Sequence, residues 1–144
     1  PWERHDAFRR QFSLVMGQKN QLWWDLPAAD SFELHREIYS LERARFDRTL
    51  AELVEMFGVD KLTRQPVREL SLGERMKMEL IASLLHEPKV LLLDEPLAAQ
   101  DISSRKRIID LLQRLADSGI TVVVVAHSTE TELTWADKVI KQFL

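Results

Sequence analysis

Two short, unbroken runs of β-branched or aliphatic residues, Val90 to Leu93 and Thr121 to Ala126, limit the folds open to this 144-residue chain more than any other feature. Runs of this length with no alternating polar residue are expected of strands buried on both faces of a parallel sheet. Between them, Ser103 to Asp117 places Ile108, Ile109, Leu111, Leu112 and Leu115 on one helical face and stops at Ser118-Gly119. Strand, helix, strand is a βαβ unit, right-handed by the usual rule. The expected class is therefore α/β, with a parallel sheet.

Upstream the pattern changes. After a polar, basic lead-in, Phe12 to Met16 reads as a strand stopped by Gly17, and Gln18 to Pro27 (QKNQLWWDLP) as a loop. Asp30 or Ser31 can cap a helix through Phe32, Leu34, Ile38 and Leu41. A second helix, about Glu42 to Phe57, aligns Phe46, Leu50, Leu53, Val54 and Phe57, and Gly58 ends it. Val59 to Val67 connects, with Pro66 barring further helix. A third helix, Leu72 to Leu85, buries Met76, Leu80, Ile81, Leu84 and Leu85 and turns at Glu87-Pro88. Thr129 to Trp135 reads as a short helix and Val139-Ile140 as the start of a strand. The organisation is a sheet core (1–17 and 88–144) interrupted by a helical insertion (18–87).

Composition removes several classes of function. A net charge of −3 gives no electrostatic case for nucleic acid as the main partner. With no cysteine there is no disulfide or thiolate metal site. The aliphatic runs fall far short of the roughly 20 residues a membrane span needs. The opening Pro1-Trp2-Glu3-Arg4 has no apolar core of a secretory signal. It also lacks an initiator Met, and with the end at Phe143-Leu144 it gives the expectation of a fragment, incomplete at both ends.

Residues 70–101, LSLGERMKMELIASLLHEPKVLLLDEPLAAQD, carry the chemistry. The second strand ends on adjacent carboxylates, Asp94 and Glu95, which by themselves could simply begin a loop. Acids at the tip of a buried strand are also a common way to hold Mg²⁺ and a base beside a nucleotide phosphate. Ser71 and Gly73 open the third helix. That turn is a helix cap in its own right, and a helix N-terminus also suits a phosphate anion. His127 follows the last strand at the same C-terminal sheet edge, where open α/β sheets bind ligands. A lone His after a strand is more often structural.

Together these segments resemble the signature motif and Walker B strand of ABC-type ATPases, over roughly residues 8 to 144. The family's LSGGQ stands here as Leu70-Ser71-Leu72-Gly73-Glu74, 23 residues before Asp94 counted from Ser71. Its form, with GQKNQLWWDLP, is similar to that of ABC-2-type exporters. The resemblance implies a P-loop NTPase-like sheet core with an inserted helical subdomain, and ATP and Mg²⁺ as substrate and cofactor. By the same resemblance Asp94 and the Q-loop Gln18 attend Mg²⁺, Glu95 polarises the attacking water, and His127 contacts the γ-phosphate. Ser71 and Gly73 would serve ATP held by a second nucleotide-binding domain, with Asp101 as the D-loop acid. The implied partners are that second domain and an ABC-2-like transmembrane permease on the cytoplasmic face of a membrane. Trp23 and Trp24, adjacent in the loop, are candidates for docking to the permease.

Two departures stand out. The phosphate cradle G-x-x-x-x-G-K-[ST] needs glycines five apart; the four glycines lie at 17, 58, 73 and 119, so this chain contains no such loop. The family's Thr-x-Gly-Leu-Asp is replaced by Leu97-Ala98-Ala99-Gln100-Asp101, which narrows backbone freedom at residue 99. Two rivals follow: a non-catalytic subunit that lends its signature turn to a partner's ATP, and an ABC ATPase acting on DNA or ribosomes. Intact Glu95 and His127 oppose the first, and the acidic charge and tryptophan-bearing loop oppose the second.

Overall fold

The computed structural model describes residues 6–16, 19–97, 101–126, 134, 136 and 137, with backbone alone for Asp6 and Ala7. The element order is α1 (Asp6–Arg9), β1 (Phe12–Met16), α2 (Ala28–Ile38), α3 (Arg43–Phe57), α4 (Leu72–Leu84), β2 (Val90–Asp94), α5 (Ile102–Asp117) and β3 (Thr121–Val125). A 3-10 turn, Val67–Glu69, precedes α4. The helix expected at Thr129 to Trp135 and the strand expected at Val139-Ile140 lie outside the described residues.

The three strands form a parallel sheet in the order β1-β2-β3. Register aligns Met16 with Asp94 and Asp94 with Val125, so all three strands end together at the acidic tip. Strand alternation then sorts the side chains between two faces. Val15, Leu91 and Leu93 point into the core and are fully buried; Val122 and Val124 pack against its edge. On the other face Leu14, Val123 and Val125 are 40–53% exposed. The expectation of strands buried on both faces is therefore wrong for β3, and half right for β2, where Leu91 and Leu93 are buried but Val90 and Leu92 only partly so. Apolar composition reports how a strand can be buried, not whether a second layer is present.

The helices follow local rules. Ser71 caps α4 through a reciprocal capping box: Ser71 Oγ accepts the Glu74 N–H at 3.3 Å, and the Glu74 carboxylate accepts the Ser71 N–H at 2.8 Å. Glu42 caps α3 by accepting the Ala44 and Arg45 N–H groups at 2.9 and 2.8 Å. Gly58 ends it in the left-handed region at φ 62°. The start of α2 differs from expectation. It begins at Ala28 behind Pro27, with no side-chain cap, and the Ser31 hydroxyl instead accepts the Trp23 N–H at 3.1 Å. The Thr63 and Pro27 carbonyls accept the Ala29 and Asp30 N–H groups at 3.0 and 3.1 Å, which makes a side-chain cap dispensable.

The centre of the molecule is α4. Met76, Met78, Leu80, Ile81, Ala82 and Leu84 are all buried, because α4 packs on β1 and is flanked by α2 and α3. A helix buried around most of its circumference has lost the polar face of an ordinary surface helix. Two polar residues, Glu79 and Ser83, are buried with it.

Candidate functional site

The sheet register brings the acidic tip to one edge. Asp94 is the last residue of β2 and is exposed; Glu95 follows it, half-buried. The Glu95 N–H donates to the Val125 carbonyl at 2.8 Å, extending the ladder one residue past the strand. Glu95 itself adopts φ 49°, in the left-handed region that a residue with a Cβ enters at a cost of about 1 kcal/mol. That conformation turns the chain sharply just where the second carboxylate leaves the sheet. Met16, Lys19, Asp94 and Glu95 line an open hollow of about 310 Å³ at this edge. The hollow therefore contains two acids, one ammonium group and the apolar end of β1.

These donors suit a hard cation that keeps much of its own water. Magnesium is ordinarily held by one or two carboxylates plus substrate phosphate oxygens, not by a closed protein cage. Among the described residues no group of three or more His, Cys, Asp or Glu converges on one point. A two-carboxylate tip beside an open hollow fits that mode.

Ser71 and Gly73, expected to form a signature turn, stand at the start of α4, with Ser71 as its N-cap. The Ser71 hydroxyl is already engaged, donating to Glu74 Oε2 at 2.7 Å. That bond, with the one from the Ser71 backbone, holds the Glu74 carboxyl below its ordinary range. Neither Ser71 nor Gly73 lines the hollow. Asp101 is the N-cap of α5: its carboxylate accepts from the Ser103 and Ser104 N–H groups at 2.9 and 3.0 Å and from Ser104 Oγ. These hydrogen bonds, Ser104 first, lower its pKa. Gln18, His127 and residues 98–100 lie outside the described residues.

The loop after Gln18 is tied down along its length. Its second half is held by the Val67 and Arg68 N–H groups, which donate to the Leu26 and Trp24 carbonyls, and by the Arg68–Asp25 ion pair. Three further bonds hold its first half. Gln21 Nε2 donates to the Leu14 carbonyl at 3.1 Å, the Gln21 N–H donates to Glu79 Oε1 at 3.3 Å, and the Trp23 N–H donates to Ser31. Leu22 is buried between them, while Trp23 and Trp24 are each 47% exposed. The Arg75 guanidinium lies 5.4 Å from the Trp24 ring centre. Burial pushes the Glu79 carboxyl up to about 7, against the pull of the Gln21 N–H and of Arg75. Sequence reasoning missed Glu79 and Lys19. Glu79 left a signal, a charge three residues after Met76 on the apolar stripe of α4; Lys19 left none.

Known proteins resemble this chain in sequence and in fold. A family model described as ABC transporter matches residues 2–98. The spermidine/putrescine import ATP-binding protein PotA of Mycoplasma capricolum is 31% identical over 133 residues, which is 92% of this chain and 38% of that protein. The molybdenum import ATP-binding protein ModC of Rhodobacter capsulatus is 38% identical over 106 residues, covering 72% of this chain and 29% of its own. Among solved structures, cbiO1 of Clostridium perfringens, part of the ABC transporter complex cbiONQ, superposes with a TM-score of 0.76 at 25% identity over 85% of this chain and 49% of its own. An ATP-binding subunit of an ABC transporter gives 0.73 at 21% identity, over 91% and 54%, a likeness of fold alone. The chain thus spans well under two thirds of each of these proteins.

Proposed function

The chain belongs to the ABC transporter family as an ATP-binding domain, and we propose that it works within an ATPase that couples hydrolysis in a head-to-tail dimer to transport across a membrane. The observation that carries the reading is the strand tip, where Asp94 and a conformationally constrained Glu95 share an open hollow at the C-terminal edge of a parallel sheet. Asp94, with Gln18, would hold Mg²⁺. The metal would supply charge neutralisation on the phosphate oxygens. Glu95 would orient the attacking water and draw its proton, and His127 would donate a hydrogen bond to the γ-phosphate. Ser71 and Gly73 would present the start of α4 to ATP on a second nucleotide-binding domain, and Asp101 would work across that dimer.

No G-x-x-x-x-G-K-[ST] loop occurs in these 144 residues. We therefore expect the isolated chain to show no Mg-ATPase activity above background. In the purified transporter assembly, Glu95→Gln is expected to lower kcat about a hundredfold or more. An assembly in which Glu95→Gln turns over at the wild-type rate overturns the assignment. The alternative of a non-catalytic subunit, lending only its signature turn, predicts no effect of Glu95→Gln and a large one of Ser71→Arg.

Docking to a transmembrane permease falls to Trp23 and Trp24. Half-exposed neighbouring indoles with Leu26, itself exposed, form an apolar patch of the kind that anchors interfaces. Attachment at the cytoplasmic face would be through that partner; among the described residues no helix is long and apolar enough to cross a membrane. Trp23→Ala with Trp24→Ala is expected to abolish co-purification with the membrane subunit; unaltered co-purification removes the patch from the interface.

Direction of transport is the finer assignment. The segments GQKNQLWWDLP and LSLGERMKMEL support export through an ABC-2-like permease, by resemblance. The names of the polyamine and molybdenum relatives favour import instead. Uptake against efflux in vesicles of known orientation separates the two.

A further inference from the structure

We propose that Glu79 is a positioning residue that ties the loop after Gln18 to the signature helix, so that the two half-sites of one chain move together; the proposal rests on the ATPase reading above. Glu79 lies on α4 eight residues, or two turns, past Ser71. It is 4% exposed. Its Oε1 accepts the Gln21 N–H at 3.3 Å across 58 residues of chain. The side chain of the same Gln21 donates to the Leu14 carbonyl in β1, whose end, Met16, lines the hollow. One residue therefore joins β1, the loop and α4.

A buried carboxylate is a poor choice for stability alone. Desolvating it is costly unless partners compensate, and an apolar side chain of equal volume packs more favourably. What an apolar side chain cannot do is accept the Gln21 N–H. Arg75, one turn earlier on α4, completes the connection: it acts electrostatically on Glu79 while its guanidinium sits over the Trp24 ring. A displacement of Trp24 by a docked partner thus reaches α4 through Arg75 and the loop through Glu79. The Ser71 turn, at the far end of the same rigid helix, must follow any tilt of α4. Asp94 and Glu95 would serve one ATP and Ser71 another, so this link lets a single chain register both.

The test uses the purified transporter assembly with Glu79→Met, which fills the volume without an acceptor, Glu79→Gln, which keeps one, and Glu79→Asp, which withdraws it by one methylene. A misplacement of about 1 Å in a catalytic arrangement costs up to about a hundredfold in rate. Glu79→Met is expected to lower kcat about tenfold or more with KM for ATP within about twofold. Glu79→Gln should restore kcat to within about twofold of wild type, and Glu79→Asp should fall between them. Hydrogen exchange at the Gln21 amide should quicken in Glu79→Met while the amides of α4 keep their protection. If Glu79→Met does not fold, Glu79→Asp decides alone: a wild-type kcat overturns the proposal. So does a Gln variant as impaired as Met, or a loss carried wholly in KM. A wild-type assembly that hydrolyses no ATP overturns the ATPase reading instead.

Discussion

Ser71 shows how a single side chain can fix a helix start. Its hydroxyl accepts the Glu74 N–H and donates to the Glu74 carboxylate, so both ends of the turn are tied. Ser71→Ala removes both bonds and is expected to cost about 1 kcal/mol in urea denaturation. Glu79 acts on stability through protonation. Its folded pKa of about 7 lies above the ordinary 4.5, so between those values the folded chain binds the extra proton. The stability this gives is complete below pH 4.5 and is lost as pH rises through 7. Glu79→Gln should therefore gain about 1 kcal/mol or more on wild type at pH 8 and almost nothing at pH 4, read from urea midpoints. Neither residue was equally visible beforehand. The Ser71 cap was legible because capping is a local pattern; the burial of Glu79 depends on three elements meeting around it.

At the scale of elements, the contact between α2 and the end of α4 is aromatic. The Tyr39 and His86 rings stack at 4.0 Å and 3°, with His35 6.1 Å from Tyr39. Desolvation lowers the pKa of both histidines from 6.5. Neither ring nitrogen of His86 makes a hydrogen bond of good geometry, although the Phe12 backbone is near enough to favour the charged form slightly. Here the sign is opposite to that of Glu79. The unfolded chain takes up protons first, so this stability is present above pH 6.5 and lost as pH falls through the folded values. His86→Phe keeps the stack and should flatten the loss between pH 6.5 and 5 in denaturation midpoints. Element spans were largely legible: α3, α4, α5 and the strands fall within one or two residues of the periodic reading. The start of α2 was not, because Ser31 is drawn to the Trp23 N–H by tertiary contact.

At the scale of the whole molecule, the described residues cover the sheet on one face. Helices cover the face of Val15, Leu91 and Leu93, while Leu14, Val123 and Val125 face outward. Sheet faces this apolar associate unless covered. The isolated chain should therefore show concentration-dependent association in sedimentation. Val123→Thr with Val125→Thr, which keeps β-branched side chains on the strand, should reduce it. The sedimentation coefficient extrapolated across a dilution series checks this, and an unchanged series removes the face as the cause.

What the sequence determined by itself was local or periodic. The βαβ unit, the caps at Ser71 and Gly58, the two acids at the strand tip and the missing phosphate loop all follow from residues near one another in the chain. The tertiary structure alone decided which sheet face is buried, the left-handed turn at Glu95, the presence of Lys19 in the hollow and the burial of Glu79 between loop and helix. The physical reason is the same throughout. Hydrogen bonds to the next turn and hydrophobic periodicity are set within a few residues, whereas burial and the partner of a polar group depend on what distant segments bring to the same place.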